Sequence, residues 1–222
     1  MMLRKMSDGW RRESMANKLR QARLSLLVKI LGESLSPVSI LDVGGQEEFW
    51  KALDLSSLPK VQITLINRYS MKPTLPFVQA IVGDARDMGF IQDQSFDMVF
   101  SNSVLEHVGG LREQKAMSRE CVRIGKKHFI QTPNRYFPLE PHFLIPLFQF
   151  FPNPVRAWLH SHFNLGWWGK AGSYYEGLEE VESIRLLNYR ELLYLFPRSE
   201  IWREKVFGMT KSFVVYSASC KI

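Results

Sequence analysis

Polar residues stand at the ends of five successive apolar runs in this chain: Asp42 with Gly44, Asn67, Asp84, Asn102, and Thr132 with Asn134. Carboxylate and amide groups at such places read the hydroxyls and amines of a ligand through hydrogen bonds. The sharpest stretch is 38–50, VSILDVGGQEEFW, an apolar run (Val38, Ile40, Leu41, Val43) followed by Gly44-Gly45 and a helix start. Glycine turns tightly and lets a ligand approach the backbone, and a helix start offers unpaired N–H groups. A strand that ends this way is a common place to hold a nucleotide-like ligand. Asp42 can orient the turn or accept from the ligand; an ordinary glycine turn after a buried strand accounts for the same residues. The patterns G-x-G-x-x-G and G-x-x-x-x-G-K-[ST] are absent, which counts against NAD and against a phosphate loop for ATP.

The elements that must position these residues follow from periodicity. Runs at 38–43, 61–66, 77–82, 95–102 and 128–132 read as strands, and 10–35, 47–55 and 110–124 as helices, with Gly125-Lys126-Lys127 ending the last. Strand and helix alternate at short intervals, which predicts a mostly parallel sheet with helices on both faces and ligands at the strand carboxyl ends. Asn67 follows Gly44 by 23 residues. In doubly wound folds an acidic residue at about that distance holds ribose hydroxyls. An asparagine can do so too, or can simply close a strand. Asp84 can accept from an exocyclic amine. A closing helix at 188–195 and strands at 201–206 and 212–217, joined through Gly208, read as a terminal hairpin. The organisation is one domain: helix 10–35, core 36–135, an aromatic and proline-rich insertion 136–185 of short helices, and a closing unit 186–222.

The chain has 222 residues and a formal charge of +7, with 29 basic against 22 acidic residues. That balance favours acidic partners, but the basic residues are dispersed, so a nucleic acid is not the expected partner. Two cysteines, Cys121 and Cys220, lie far apart. They form no metal spacing and no disulfide framework, so no metal site is expected and a cytoplasmic location is. No run approaches the ~18 apolar residues of a membrane span. The aromatic insertion suits a hydrophobic or lipid-linked substrate or a partner surface; a small accessory core packed on the sheet fits it equally. The basic amphipathic helix 10–35 covers the sheet or lies on an anionic membrane.

Ile40-Leu41-Asp42-Val43-Gly44-Gly45 resembles the first motif of the class I S-adenosylmethionine-dependent methyltransferases. Ser95-Phe96-Asp97-Met98-Val99-Phe100-Ser101-Asn102-Ser103-Val104-Leu105-Glu106-His107-Val108 is similar to their fourth strand and the helix start after it. The resemblance covers 36–135, and 188–219 fits it. It implies an α/β fold: a doubly wound, mostly parallel seven-stranded sheet with a C-terminal antiparallel hairpin. It implies S-adenosyl-L-methionine as cofactor. Asp42, Gly44 and Gly45 would hold its methionine end and Asn67 its ribose. Asp84 and the backbone of Ala85 would read the adenine, and Asn102 and Ser103 would lie beside the transferred methyl. The chain departs from the pattern in a loop poorer in glycine and in Asn67 for an acidic residue. Glu47 or Glu48 could meet the cofactor's ammonium group or favour the helix start.

The activity implied is methyl transfer to a small-molecule, sugar or lipid-linked acceptor, with oxygen favoured as the atom methylated. The donor is already activated, so the protein aligns the partners and excludes water. A hydroxyl acceptor also needs a base, for which His107 and His142 are the candidates. Asn134, Arg135 and Glu140, in the loop after the fifth strand, are the candidate acceptor contacts. Peripheral membrane contact through the N-terminal helix or the insertion fits a lipid-linked acceptor. No Asn/Asp-Pro-Pro-Tyr motif of nucleic-acid amino methyltransferases is present. The alternatives are a non-catalytic binding partner with this fold, an RNA-binding protein and an NAD-dependent oxidoreductase.

Overall fold

A computed structural model describes residues 15–31, 37–53 and 60–217. The expected helix residues 10–14, 32–35 and 54–55, and Cys220, lie outside them. The helices are α1 (Met15–Leu31), α2 (Glu47–Lys51), α3 (Leu111–Ile124), α4 (Asn153–His162), α5 (Tyr174–Glu182) and α6 (Tyr189–Leu195). The strands are β1 (Val38–Val43), β2 (Val61–Asn67), β3 (Val78–Val82), β4 (Phe96–Asn102), β5 (Gly125–Pro133), β6 (Ser199–Val206) and β7 (Met209–Ser217).

They form one seven-stranded sheet in the order β3-β2-β1-β4-β5-β7-β6. Strands β1 to β5 pair in parallel, and β7 runs antiparallel between β5 and β6. The doubly wound sheet and its closing hairpin are those expected. The chain winds outward from β1 to β3, then returns to β4 on the other side of β1. Ligands of such sheets sit at that reversal, off the strand carboxyl ends.

Both faces are covered. Successive strand residues point to opposite sides, so Ile40 and Leu41 enter different cores. On one face Leu24, Leu27 and Leu31 of α1 pack with Ile40, Ile63, Leu65, Met98, Phe100 and Phe129. On the other, Met117, Cys121 and Ile124 of α3 and Leu192 and Leu195 of α6 pack with Leu41, Val43, Val99, Ile130 and Val215. Each such side chain, fully buried, contributes about 1.5–3 kcal/mol. Helix α1 therefore lays its leucines on the sheet, and Lys127 Nζ donates to the Ile30 carbonyl at its end (2.6 Å). No described helix is long and apolar enough to cross a membrane.

One boundary corrects the sequence reading. Gly125 caps α3 after Ile124, as expected, but β5 begins at Gly125 rather than at His128. Gly125 allows the junction, because a Cβ there would lie 2.9 Å from Val99 Cγ2 and collide with the Lys127 carbonyl. The insertion builds a core of its own from Phe143, Phe148, Ala157, Leu165, Val181 and Ile184. A capping box at Asn188 and Glu191 then starts α6.

Candidate active site

The β1 turn is shaped by contacts that only glycine permits. Gly44 has φ +74°, and a Cβ on it would lie 2.6 Å from both methyls of Val104. Its N–H donates to the Ile66 carbonyl (2.9 Å). Asn67 Nδ2 donates to the Gly45 carbonyl (2.7 Å), so the side chain at the end of β2 braces the loop. Under the turn opens a cavity of about 490 Å³ lined by Gly44, Asn67, Asp84, Ala85, Val104 and His107, among others. Its volume falls within the usual range for small-ligand sites. A Cβ on Gly83, also in the wall, would lie 2.7 Å from Ile66 Cδ1. A larger cavity of about 750 Å³ opens beside Gly125 and His128 at the amino end of β5, away from the candidate residues.

Other expected cofactor contacts are engaged elsewhere. Asp42 is buried below the turn and absent from the cavity wall. Its Oδ2 accepts from Trp50 Nε1 (2.7 Å), while Oδ1 is buried without a hydrogen-bond partner. Burial pushes its carboxyl up to about 7 against the pull of the Trp50 bond. Gly45 is needed because a Cβ there would strike the Asp42 carboxylate. Asn102 Oδ1 accepts from Arg23 Nη1 of α1 (2.7 Å). Ser103, at φ +56°, donates its hydroxyl to Gln131 Oε1 (2.8 Å). Asp84 does face the cavity, with its carboxylate forked on Arg86 at 2.9 and 2.6 Å. Those bonds hold it below the usual carboxylate range. Glu47 and Glu48 stand in the first turn of α2, as the helix-start reading expects, and Glu47 accepts from the Thr74 N–H (2.7 Å), from the Leu75 N–H and from Lys51 Nζ (2.8 Å).

Beyond the cavity, two histidines meet. The turn at Ser103 leads into a 3₁₀ helix, Leu105–His107, which sets His107 in the cavity wall. His107 Nε2 lies 3.1 Å from His142 Nε2, with the rings edge to face. His142 Nδ1 lies 2.7 Å from Glu140 Oε1. Glu140 is fully buried, and its Oε2 accepts the backbone N–H groups of His142 (2.7 Å) and Phe143 (2.6 Å). Glu140 therefore orients His142 rather than facing an acceptor. Glu106 is also fully buried; Thr132 Oγ1 donates to its Oε2 (2.9 Å), and its Oε1 has no hydrogen-bond partner. Burial pushes the Glu106 carboxyl up to about 7. Burial, reinforced by His142, pushes His107 down to about 4. For His142 burial works against the charged form, but Glu140 and Glu106 outweigh it and raise its pKa.

The remaining loop candidates stand apart. Asn134 is buried, donating to the Thr210 carbonyl (2.7 Å) and accepting from the Tyr136 N–H (3.1 Å). It fastens β5 to the hairpin. Arg135 opens onto a separate cavity of about 550 Å³ with Gln149, Arg156 and Arg185. Sequence reasoning did not single out Glu106 as a site residue. Its signal was the pairing of Glu106-His107 with Glu140-Pro141-His142.

A family model described as a methyltransferase domain matches residues 52–128. Two uncharacterized proteins of Mycobacterium tuberculosis strains are 39% identical over 59 residues, 27% of this chain. That match spans 20% of the length of those relatives. Among solved structures, a protein of Anabaena variabilis described as a methyltransferase from an antibiotic biosynthesis pathway superposes with TM-score 0.52 and 16% identity. It covers 83% of this chain and 64% of that one. The CMeT domain of the citrinin polyketide synthase gives TM-score 0.55 at 14% identity, over 90% and 52% of the two chains. An O-methyltransferase family protein of Burkholderia thailandensis gives 0.50 at 12% identity, over 99% and 67%.

Proposed function

We propose that this chain, which has the fold of the class I S-adenosylmethionine-dependent methyltransferases, binds S-adenosyl-L-methionine and methylates an oxygen of a small-molecule, sugar or lipid-linked acceptor. The observation that carries this reading is the cavity under the Gly44 turn, whose wall runs from Asn67 and Asp84 to His107. The donor pocket and the histidine pair thus share a boundary.

The residues fit the cofactor. Gly44 and Gly83 let the wall of the cradle pack closely on Val104 and Ile66, Asn67 suits the ribose hydroxyls, and the Asp84 carboxylate suits the adenine amine. When bound, the cofactor supplies a methyl group already activated on a sulfonium. The chain's own work is to hold donor and acceptor in line and to exclude water. Asp42 and Trp50 brace the turn from below, and Arg23 fixes Asn102 beside it. His107 and His142 prepare the acceptor oxygen, with Glu140 fixing the ring of His142. Exposed Phe150, Phe151, Trp158, Phe163 and Trp168 on the insertion support an apolar or lipid-linked acceptor and contact with a membrane surface.

A second reading, a non-catalytic binding protein, is favoured by the engagement of Asp42 with Trp50 and of Asn102 with Arg23. Calorimetric titration with S-adenosylmethionine, with NAD as control, separates the two. Saturable one-site binding of the first alone is expected, and its loss in Gly44→Val, whose side chain would need the left-handed backbone and the space of Val104. No binding at millimolar cofactor by folded protein would sink the enzyme reading.

A further inference from the structure

We propose that Glu106, His107 and His142 bind a divalent transition-metal ion on the acceptor side of the donor cavity. A carboxylate oxygen of Glu106 and one ring nitrogen of each histidine all lie within 4.8 Å of one another. The two Nε2 atoms are 3.1 Å apart. Two nitrogens bound at ~2.05 Å to one tetrahedral ion stand about 3.3 Å apart, so the pair needs only a small spread to take an ion.

Three further observations point to a cation. The first is Glu106 Oε1, buried in a fully buried side chain with no hydrogen-bond partner. An unsatisfied buried carboxylate oxygen is costly, and a metal ion would satisfy it. The second is Glu140. Metal-bound imidazoles commonly donate their other ring N–H to a carboxylate, which fixes the tautomer. His142 Nδ1 lies 2.7 Å from Glu140 Oε1, which turns Nε2 toward His107 Nε2, 3.1 Å away. The third is charge: the carboxylates of Glu106 and Glu140, with neutral imidazoles, balance a divalent ion. Part of His107 stays open to solvent although its ring is packed against His142, so an ion can reach the cluster.

Two imidazoles and one carboxylate favour zinc, iron, cobalt or nickel over magnesium, and three protein ligands leave positions open. An acceptor hydroxyl taking an open position is acidified by the ion and becomes the nucleophile. Its proton leaves to solvent, its oxygen forms the bond to the methyl carbon, and the methyl–sulfur bond breaks. This role rests on the proposed methyl transfer; the metal site rests on the cluster alone. The histidines then serve as ligands, not as proton acceptors, because a ring nitrogen bound to a metal takes no proton.

The test is titration of the full chain, stripped with EDTA and free of S-adenosylmethionine, with Co²⁺ and Zn²⁺ against Mg²⁺. Calorimetry and the visible absorption of Co²⁺ are the readouts. One Co²⁺ per chain is expected, with no comparable Mg²⁺ binding. Binding should vanish in His107→Ala and His142→Ala, and Glu140→Gln should weaken it about 10–100-fold, in samples whose circular dichroism is native. Absence of saturable Co²⁺ binding by the folded wild-type chain overturns the inference, as does full binding by either alanine variant. A parallel titration with S-adenosylmethionine in EDTA keeps the failures apart. Cofactor binding without metal binding leaves the methyltransferase reading and removes the metal; metal binding without cofactor binding does the reverse.

Discussion

The most consequential single residue outside the histidine cluster is Asp42, 1% exposed and tied to Trp50. The sequence leaves it either to orient the turn or to meet the ligand, and in the fold its Oδ2 accepts from Trp50 of α2 beneath the glycine turn. Its carboxyl titrates near 7 because burial disfavours the charge; in the unfolded chain it titrates near ~3.9. Folding therefore favours the protonated form. The corresponding stability is present in full below ~3.9 and is lost as pH rises through about 7. Asp42→Asn keeps an acceptor for the Trp50 N–H and removes the charge. Relative to wild type, the variant should gain stability steadily from ~pH 4 to ~pH 7 and level off above. Glu106 titrates in the same window, so the difference between the two proteins, from urea midpoints at each pH, is the informative quantity. A difference that stays constant over that range would mean that the buried carboxylate is not the cause.

At the scale of elements, the central strands β1, β2 and β4 were legible because each is an apolar run, largely buried between two layers, which leaves little room for another reading. The polar strand ends were legible for the same reason, since Asn67, Asp84 and Asn102 interrupt apolar runs. What the sequence concealed are contacts across long separations. Arg23 reads as one more surface charge on a basic helix, but it reaches Asn102, 79 residues away, and lies 3.2 Å from Glu204 of β6. Nothing local in either segment specifies that meeting. The start of β5 was hidden for a different reason: Gly125 was legible as the helix stop, but Gly125-Lys126-Lys127 carry no strand pattern of their own, and only pairing beside β4 makes them part of β5. The Arg23 contact has a measurable consequence. Glu204 is 1% exposed, and removing the partner of a buried charge costs about 3–5 kcal/mol. Lys211 also faces Glu204, which places Arg23→Met toward the low end. Adding Glu204→Gln should recover most of the loss. Urea denaturation of the single and double variants decides it: a single variant as stable as wild type, or a double variant no better than the single, would show that the ion pair does not hold α1 in place.

Across the whole molecule, two units built from different parts of the chain meet at the histidines. The sheet and the β1 turn form the cavity proposed for the methyl donor and carry His107 on the segment after β4. His142 belongs to the loop that opens the insertion, and the insertion's core holds it from behind. Phe143 packs edge-on against His160 and stacks with Trp168. Trp167 N–H donates to the His142 carbonyl (3.1 Å). Gly166, at φ +49°, lets this turn press close, because a Cβ there would collide with the His142 carbonyl and come within 2.5 Å of Phe143 Cα. The accessory core thus does more than cover the sheet: it positions a side chain opposite a histidine that the sheet supplies. Gly166→Ala tests whether the two units are separable. The variant must push the 142–143 backbone away or strain its own, at a cost of roughly 1–3 kcal/mol, while leaving the donor cavity untouched. S-adenosylmethionine affinity by calorimetry should be unchanged. Co²⁺ affinity should fall about 10–100-fold, the range for disturbing a metal ligand's support, and methyl transfer should fall with it. Equal loss of cofactor and metal binding would show that the insertion and the donor cavity form one cooperative unit, and unchanged values for both would show that His142 does not depend on the turn at Gly166.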